Sequence, residues 1–114
     1  MVPSAAGAIV LVQFPFSELS RSTLRPAVVL AEPGRGDWIL CQITSNPYSD
    51  AQAVGLSDES FRQGGLRRVS YARPGKLFTA HDDLMVREVG VRHVEALRQV
   101  VAAVIEMLQR GLGA

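Results

Sequence analysis

With 114 residues, 47% of them apolar, and a formal net charge of +1, the chain has apolar surface for one cored domain, expected to span 1–114. A disordered tail and a uniformly charged binding arm are both excluded, and a single cysteine can form neither an internal disulfide nor a cysteine zinc site, which suits a reducing cytoplasm. The start, MVPSAAGAIVLVQF, lacks a basic segment and its apolar run stops at Gln13; no later run approaches the ~20 residues of a membrane helix, so a soluble, unprocessed protein is expected.

In chain order, AIVLVQF (8–14) reads as a strand, and PFSELSRST follows as a loop. A second strand is expected over 25–31. There Pro26 fixes its own backbone and pushes Arg25 into an extended conformation at the strand's mouth. EPGRGD is a turn, and WILCQITS carries a third strand from about Trp38 to Thr44, with Cys41 as a small buried hydrophobe. No helix-length pattern separates these strands, so they should be antiparallel neighbours. NPYSDAQ is a loop, AVGLS a short strand, RQGG a turn, and LRRVSYAR and KLFTA two further short strands. Short antiparallel strands with frequent turns favour a sheet curled into a small barrel.

From Val91 the period changes. Val94, Leu97, Val101, Val104, Ile105 and Leu108 fall at helical spacing, opposite Arg92, Glu95, Gln99, Glu106 and Arg110, with Gly111 as the stop and Glu106–Arg110 as a favourable pair. Val100, Ala103 and Met107 widen the apolar stripe, which fits either a partner subunit or a deeply buried helix. The expected class is therefore α+β, mainly β: a small antiparallel β-barrel with a C-terminal amphipathic helix.

Charge is unevenly placed. Between Glu59 and Asp82 no acid occurs, whereas Arg62, Arg67, Arg68, Arg73 and Lys76 do; the net +1 divides into +5 for that block and −4 elsewhere. Phe61, Tyr71 and Phe78 interleave with it, and all but Lys76 of the basic residues are arginine. Arginines that grip phosphates beside aromatics that stack bases are how single strands are held; a solvated loop has the same composition.

Taken together, GAIVLVQFPFSELSRSTLRPAVVLAE, WILCQITS, GGLRRVSYARPGKLFT and REVG before the helix resemble the MazF/PemK family of bacterial toxins, over nearly the whole chain and most specifically in FPFSELSRSTLRPAVVL. The resemblance implies an SH3-like barrel acting as a homodimer. It implies the toxin of a type II toxin–antitoxin system, an mRNA interferase cutting single-stranded RNA through 2′-hydroxyl attack, with no metal or other cofactor. The antitoxin would block the RNA groove with a partly disordered acidic tail and would supply any contact with operator DNA. Arg25 matches the arginine of the family's Arg-Pro motif, where its fork of donors would stabilise charge on a phosphate. Thr44 matches the family's hydroxyl residue after the third strand, with Ser45 beside it on the opposite face.

For proton transfer or for orienting Arg25 the candidates are Glu18, His81 and Ser45; His93, on the helix, is expected at the surface. For RNA binding they are Phe16, Arg67, Arg68, Tyr71, Arg73 and Lys76, with Phe16 equally suited to the core. The chain departs from the family at Ala8, where an acid is usual, and at Thr23, where lysine is common. Two other readings fit the same barrel: a catalytically inactive module that docks RNA or protein, and a gyrase-binding relative.

Overall fold

The computed structural model describes residues 1–14, 23–46, 49–56, 70–90 and 94–113. Among them, six strands form one antiparallel sheet in the order β4-β5-β3-β2-β1-β6: β1 (Ile9–Phe14), β2 (Thr23–Gly34), β3 (Asp37–Thr44), β4 (Val54–Leu56), β5 (Ser70–His81) and β6 (Met85–Gly90). A 3-10 turn, Asp82–Leu84, joins β5 to β6, and helix α1 (Val94–Gly111) ends the chain.

Both faces of the sheet are buried, which is why IVLV, AVVL and WILC read as continuous apolar runs rather than as alternation. On one face Ile9, Val28, Cys41, Ile43, Val54, Leu56, Ala72 and Val89 lie beneath Ala96 and Val100 of α1. On the other, Val10, Val12, Ala27, Val29, Trp38, Leu40, Ala80 and Met85 pack on one another as the sheet curls. The curl does not become a closed barrel. Among the described residues β4 and β6 stand at opposite edges, and three-residue β4 pairs only with β5.

Several expected boundaries move. Strand β2 starts at Thr23, so Arg25 and Pro26 lie inside it, and it runs on through Glu32 and Pro33 to Gly34. The turn shrinks to Arg35 and Gly36, whose φ values of 59° and 78° suit a tight hairpin closed by Gly34 opposite Asp37. The segments expected as two strands are one, β5, with Pro74 and Gly75 inside it. Pairing resumes beyond them with a shifted register: Cys41 opposes Leu77, but Ile43 opposes Ala72. Proline and glycine here make a bulge, not a turn. Strand β6 was not foreseen; it pairs with β1 through two register shifts, which blur its sequence alternation.

The helix also turns a different side inward. Ala96 and Val100 are buried, whereas Val94, Ile105 and Leu108 are exposed. At about 100° per residue Ala96, Val100 and the half-buried Val104 packed with them are centred about a quarter of a turn from the expected stripe Val94, Leu97, Val101, Val104, Ile105 and Leu108, with which they share Val104. The sheet takes Ala96, which the stripe did not include, with Val100 from its widened edge and Val104 from the stripe itself, because small Ala96 and slim Val100 allow close approach. Glu106 and Arg110 do pair, at 3.9 Å.

Candidate functional site

The site grows from the register of three strands. Ala27 opposes Gln42 and Val28 opposes Cys41. By the same parity, Arg25 on β2 and Thr44 on β3 belong to the face that carries Ala27, Val29 and Leu40. No β2–β3 pair forms beyond Ala27–Gln42, whereas pairing to β1 continues through Leu11–Pro26 and Val12–Arg25. Proline has no N–H to offer, so the β3 side of the ladder stops there and leaves a notch flanked by Arg25 and Thr44. Tyr71, half-buried, faces Thr44 from β5.

Arg25 is exposed and makes no hydrogen bond or ion pair among the described residues. Thr44 Oγ1 accepts the Asn46 N–H at 3.2 Å. That bond orients the hydroxyl and leaves its own proton to donate to an anion. Ser45 is exposed, one position on, and alternation turns it from the notch. Ala8, where the family has an acid, is 1% exposed and sits in the core of the concave face. A methyl fits there; an ionised carboxylate would be buried among apolar side chains.

Beside the notch lies a cleft of about 280 Å³ lined by Phe14, Gln42, Lys76, Leu77 and Phe78. Its wall is the Phe14–Phe78 pair, with ring centroids 4.6 Å apart and planes inclined at 34°. Lys76 thus stands at the cleft, next to the bulge. Sequence reasoning missed Gln42 and Phe14. The signal was parity: along β3 the positions Trp38, Leu40, Gln42 and Thr44 share one face, so an amide on that row interrupts an apolar series.

Arg73 has a structural task. Its Nε donates to Asp50 Oδ2 at 3.1 Å, and the two side chains are only 22% and 18% exposed. The Gln52 N–H bonded to Asp50 Oδ1, followed by Arg73, holds the Asp50 carboxyl below the usual carboxylate range. This ties the loop after β3 to the bulge. Cys41 Sγ donates to the Arg73 carbonyl at 3.1 Å, and burial pushes the thiol up to about 12, so it stays a neutral core group.

His81 lies at the other end of β3 and β5, opposite Asp37. From Asp37 to Thr44 is about 23 Å at ordinary strand rise, so His81 cannot share a phosphate with Arg25. Its Nδ1 accepts the Asp83 N–H at 3.2 Å, capping the 3-10 turn, with carboxylate oxygens of Asp82 and Asp83 at 3.1 and 3.3 Å. These three residues bring ligand-type atoms within 4.8 Å of one another, the one such group among the described residues. Phe16, Glu18, Phe61, Arg62, Arg67, Arg68 and His93 lie outside the described residues.

A mainly β protein with an open, curled sheet, one terminal helix and an arginine–threonine notch is thereby defined. Its architecture is that of MazF toxins. A chain of the MazE–MazF complex from Deinococcus radiodurans superposes with a TM-score of 0.74 at 20% identity, covering 96% of this chain and 97% of that one. Mycobacterium tuberculosis toxin MazF-mt6 gives 0.70 at 16% identity, with 90% and 96% covered. An endoribonuclease in complex with its cognate antitoxin, from a mycobacterial species, gives 0.67 at 12%, with 95% and 94% covered. No protein-family profile and no curated protein matches the sequence.

Proposed function

We propose that the protein is the toxin of a type II toxin–antitoxin system and an endoribonuclease that cuts single-stranded RNA. The observation that carries this reading is the exposed Arg25, with no partner among the described residues, on the part of β2 where the β2–β3 ladder has ended, with Thr44 at the end of the facing strand. Support comes from the fold shared with MazF toxins, one of them in a MazE–MazF complex, and with an endoribonuclease bound to its antitoxin.

The chemistry follows from charge. Attack of a 2′-hydroxyl on the adjacent phosphate builds a doubly negative phosphorane and expels a 5′-oxygen, leaving a cyclic phosphate. Arg25 offers a planar fork of N–H donors to two non-bridging oxygens, and its charge is permanent. Thr44 adds one O–H donor, already aimed by Asn46. Donors placed before reaction stabilise the developing charge without reorganising, so each is worth about 100-fold or more in rate. Arginine is too weak an acid to pass a proton. Proton transfer therefore falls to other groups, with Glu18 and Ser45 the candidates in this proposal. Tyr71 and Lys76 serve as flanking RNA contacts, and Arg67, Arg68 and Phe16 are further RNA-contact candidates of the proposal.

The exposed helix stripe Val94, Ile105 and Leu108 supports a homodimer, since apolar side chains at this density favour burial against a second copy. An antitoxin with an acidic tail would compete with RNA for Arg25 and Lys76. No described helix is long and apolar enough to cross a membrane. Cytoplasmic action on mRNA, with inhibition of growth, completes the proposal.

The test incubates purified protein with a long unstructured RNA in EDTA, alongside Arg25→Ala, and maps the new ends. Discrete cuts with 5′-hydroxyl and cyclic phosphate termini, lost in Arg25→Ala, are expected. Intact RNA that both proteins still bind in a salt-dependent manner would overturn the nuclease reading and favour the inactive binding module.

A further inference from the structure

We propose that the cleft bounded by Phe14, Gln42, Lys76 and Phe78 is a nucleobase pocket, in which one unpaired base stacks on the phenylalanine pair and has its edge read by the Gln42 amide. This rests on the reading of the Arg25 end as an RNA site and deepens it by assigning a specificity-determining residue.

The cavity exists because β5 bulges. Cys41 opposes Leu77 and Ile43 opposes Ala72, so Arg73 to Lys76 loop out across from Gln42 and leave it without a regular neighbour on β5, while Ala27 opposes it on β2. The Cys41 thiol bonded to the Arg73 carbonyl, together with the Arg73–Asp50 pair, holds that loop in shape. The opening is therefore built into the sheet. Its volume, about 280 Å³, is near the lower limit of ~300 Å³ for small-molecule sites. A single planar ring system fits such a space; a folded peptide segment does not.

Its chemistry is that of a base site. Phe14 and Phe78 present aromatic faces from β1 and β5. Base stacking on aromatics is favourable and tolerates any sequence. Gln42 supplies what stacking lacks. It is half-buried, and its amide has no hydrogen-bond partner among the described residues. An amide offers one acceptor and two donors, so in a sheltered cleft it gains from a ligand edge that presents a donor beside an acceptor. Lys76 sets a positive charge at the rim, where a phosphate would lie.

Position links the pocket to the proposed cleavage centre. Gln42 and Thr44 share a face two residues apart, about 7 Å along β3. A phosphate gripped by Arg25 and Thr44 and a base held against Gln42 thus belong to the same or to adjacent nucleotides. The base next to the cut is the one this pocket reads.

The experiment compares wild type, Gln42→Leu and Gln42→Glu on a randomised single-stranded RNA pool in EDTA, with cut sites mapped by sequencing and folding checked by thermal melts. Wild type should show a base preference at one position beside the cut. In Gln42→Leu that preference should fall by about tenfold, the scale of one amide–base pairing, while preferences elsewhere and dependence on Arg25 persist. Gln42→Glu, an acceptor-only side chain, should move the same position toward guanine, whose edge carries two adjacent N–H donors. Identical preferences in all three proteins would overturn the pocket and leave the nuclease reading standing. Should wild type make no Arg25-dependent cuts, binding decides separately. An oligoribonucleotide with 2-aminopurine at successive positions should be quenched at one of them, less so with Gln42→Leu; quenching at none overturns the proposal.

Discussion

At one end of the β2–β3–β5 unit polar side chains satisfy one another; at the other some do, as Arg73 does with Asp50, and two do not. Around the Arg35–Gly36 hairpin, His81 caps the 3-10 turn, its Nδ1 sits against Asp82 and Asp83, and Gly36 leaves no room for change. Across the sheet, Arg25 and Gln42 have no partner among the described residues, and Gln42 stands between buried Cys41 and Ile43. A folded chain gains nothing from placing an unpaired guanidinium and an unpaired amide within a few residues of each other. Groups that stabilise the fold use up their hydrogen-bonding capacity internally, while groups that meet a ligand must keep it available.

The sharpest way to break this contrast is to exchange the roles. Arg25→Ala should lower RNA cutting by ~100-fold or more and leave the melting temperature unchanged, whereas His81→Ala should leave cutting unchanged. A greater loss of activity in His81→Ala than in Arg25→Ala, measured by initial rates of RNA cleavage, would reverse the assignment. Next in size, Gly36→Ala forces a side chain onto φ +78° with its Cβ 2.7 Å from His81 Nε2. It should cost about 1–3 kcal/mol of stability in urea unfolding, with cutting intact well below the melting temperature.

A smaller effect tests the brace beside the site. Asp50→Asn should destabilise by about 1 kcal/mol at pH 7. The Asp50 carboxyl titrates lower in the folded chain than in the unfolded one, so its contribution is present above the ordinary carboxylate range and is lost as pH falls through the lowered value. Urea midpoints for the two proteins should therefore converge in acid. The smallest expected change is in salt dependence: Lys76→Ala should reduce the slope of log K against log salt for single-stranded RNA by about 0.7, as read by fluorescence anisotropy.

How far the residues disclosed these two ends differs from element to element. Arg25 was singled out because Pro26 limits its backbone and it matches the Arg-Pro motif of the resemblance, and Thr44 because it matches that family's hydroxyl residue; both roles belong to the proposal. Gln42 was not singled out, since an amide in a strand looks like polar filler until the bulge opens a gap opposite it. Pro74 and Gly75 mimic a turn for a local reason. Both residues break regular hydrogen bonding, yet β3 supplies partners on either side of them and the strand continues. Helix α1 shows the same limit. Its apolar arc was visible, but which part meets the sheet depended on where Ala96 permits close contact.

Sequence alone determined the antiparallel order of the first three strands and the C-terminal helix. Those follow from local backbone preference and hydrophobic period, which act over a few residues. Only tertiary structure decided that the sheet stays open, that Arg73 braces a loop, that His81 lies far from Arg25, and that Phe14, Gln42 and Phe78 converge. Strand register is set between segments distant in the chain, and a single bulge in β5 shifts every neighbour beyond it.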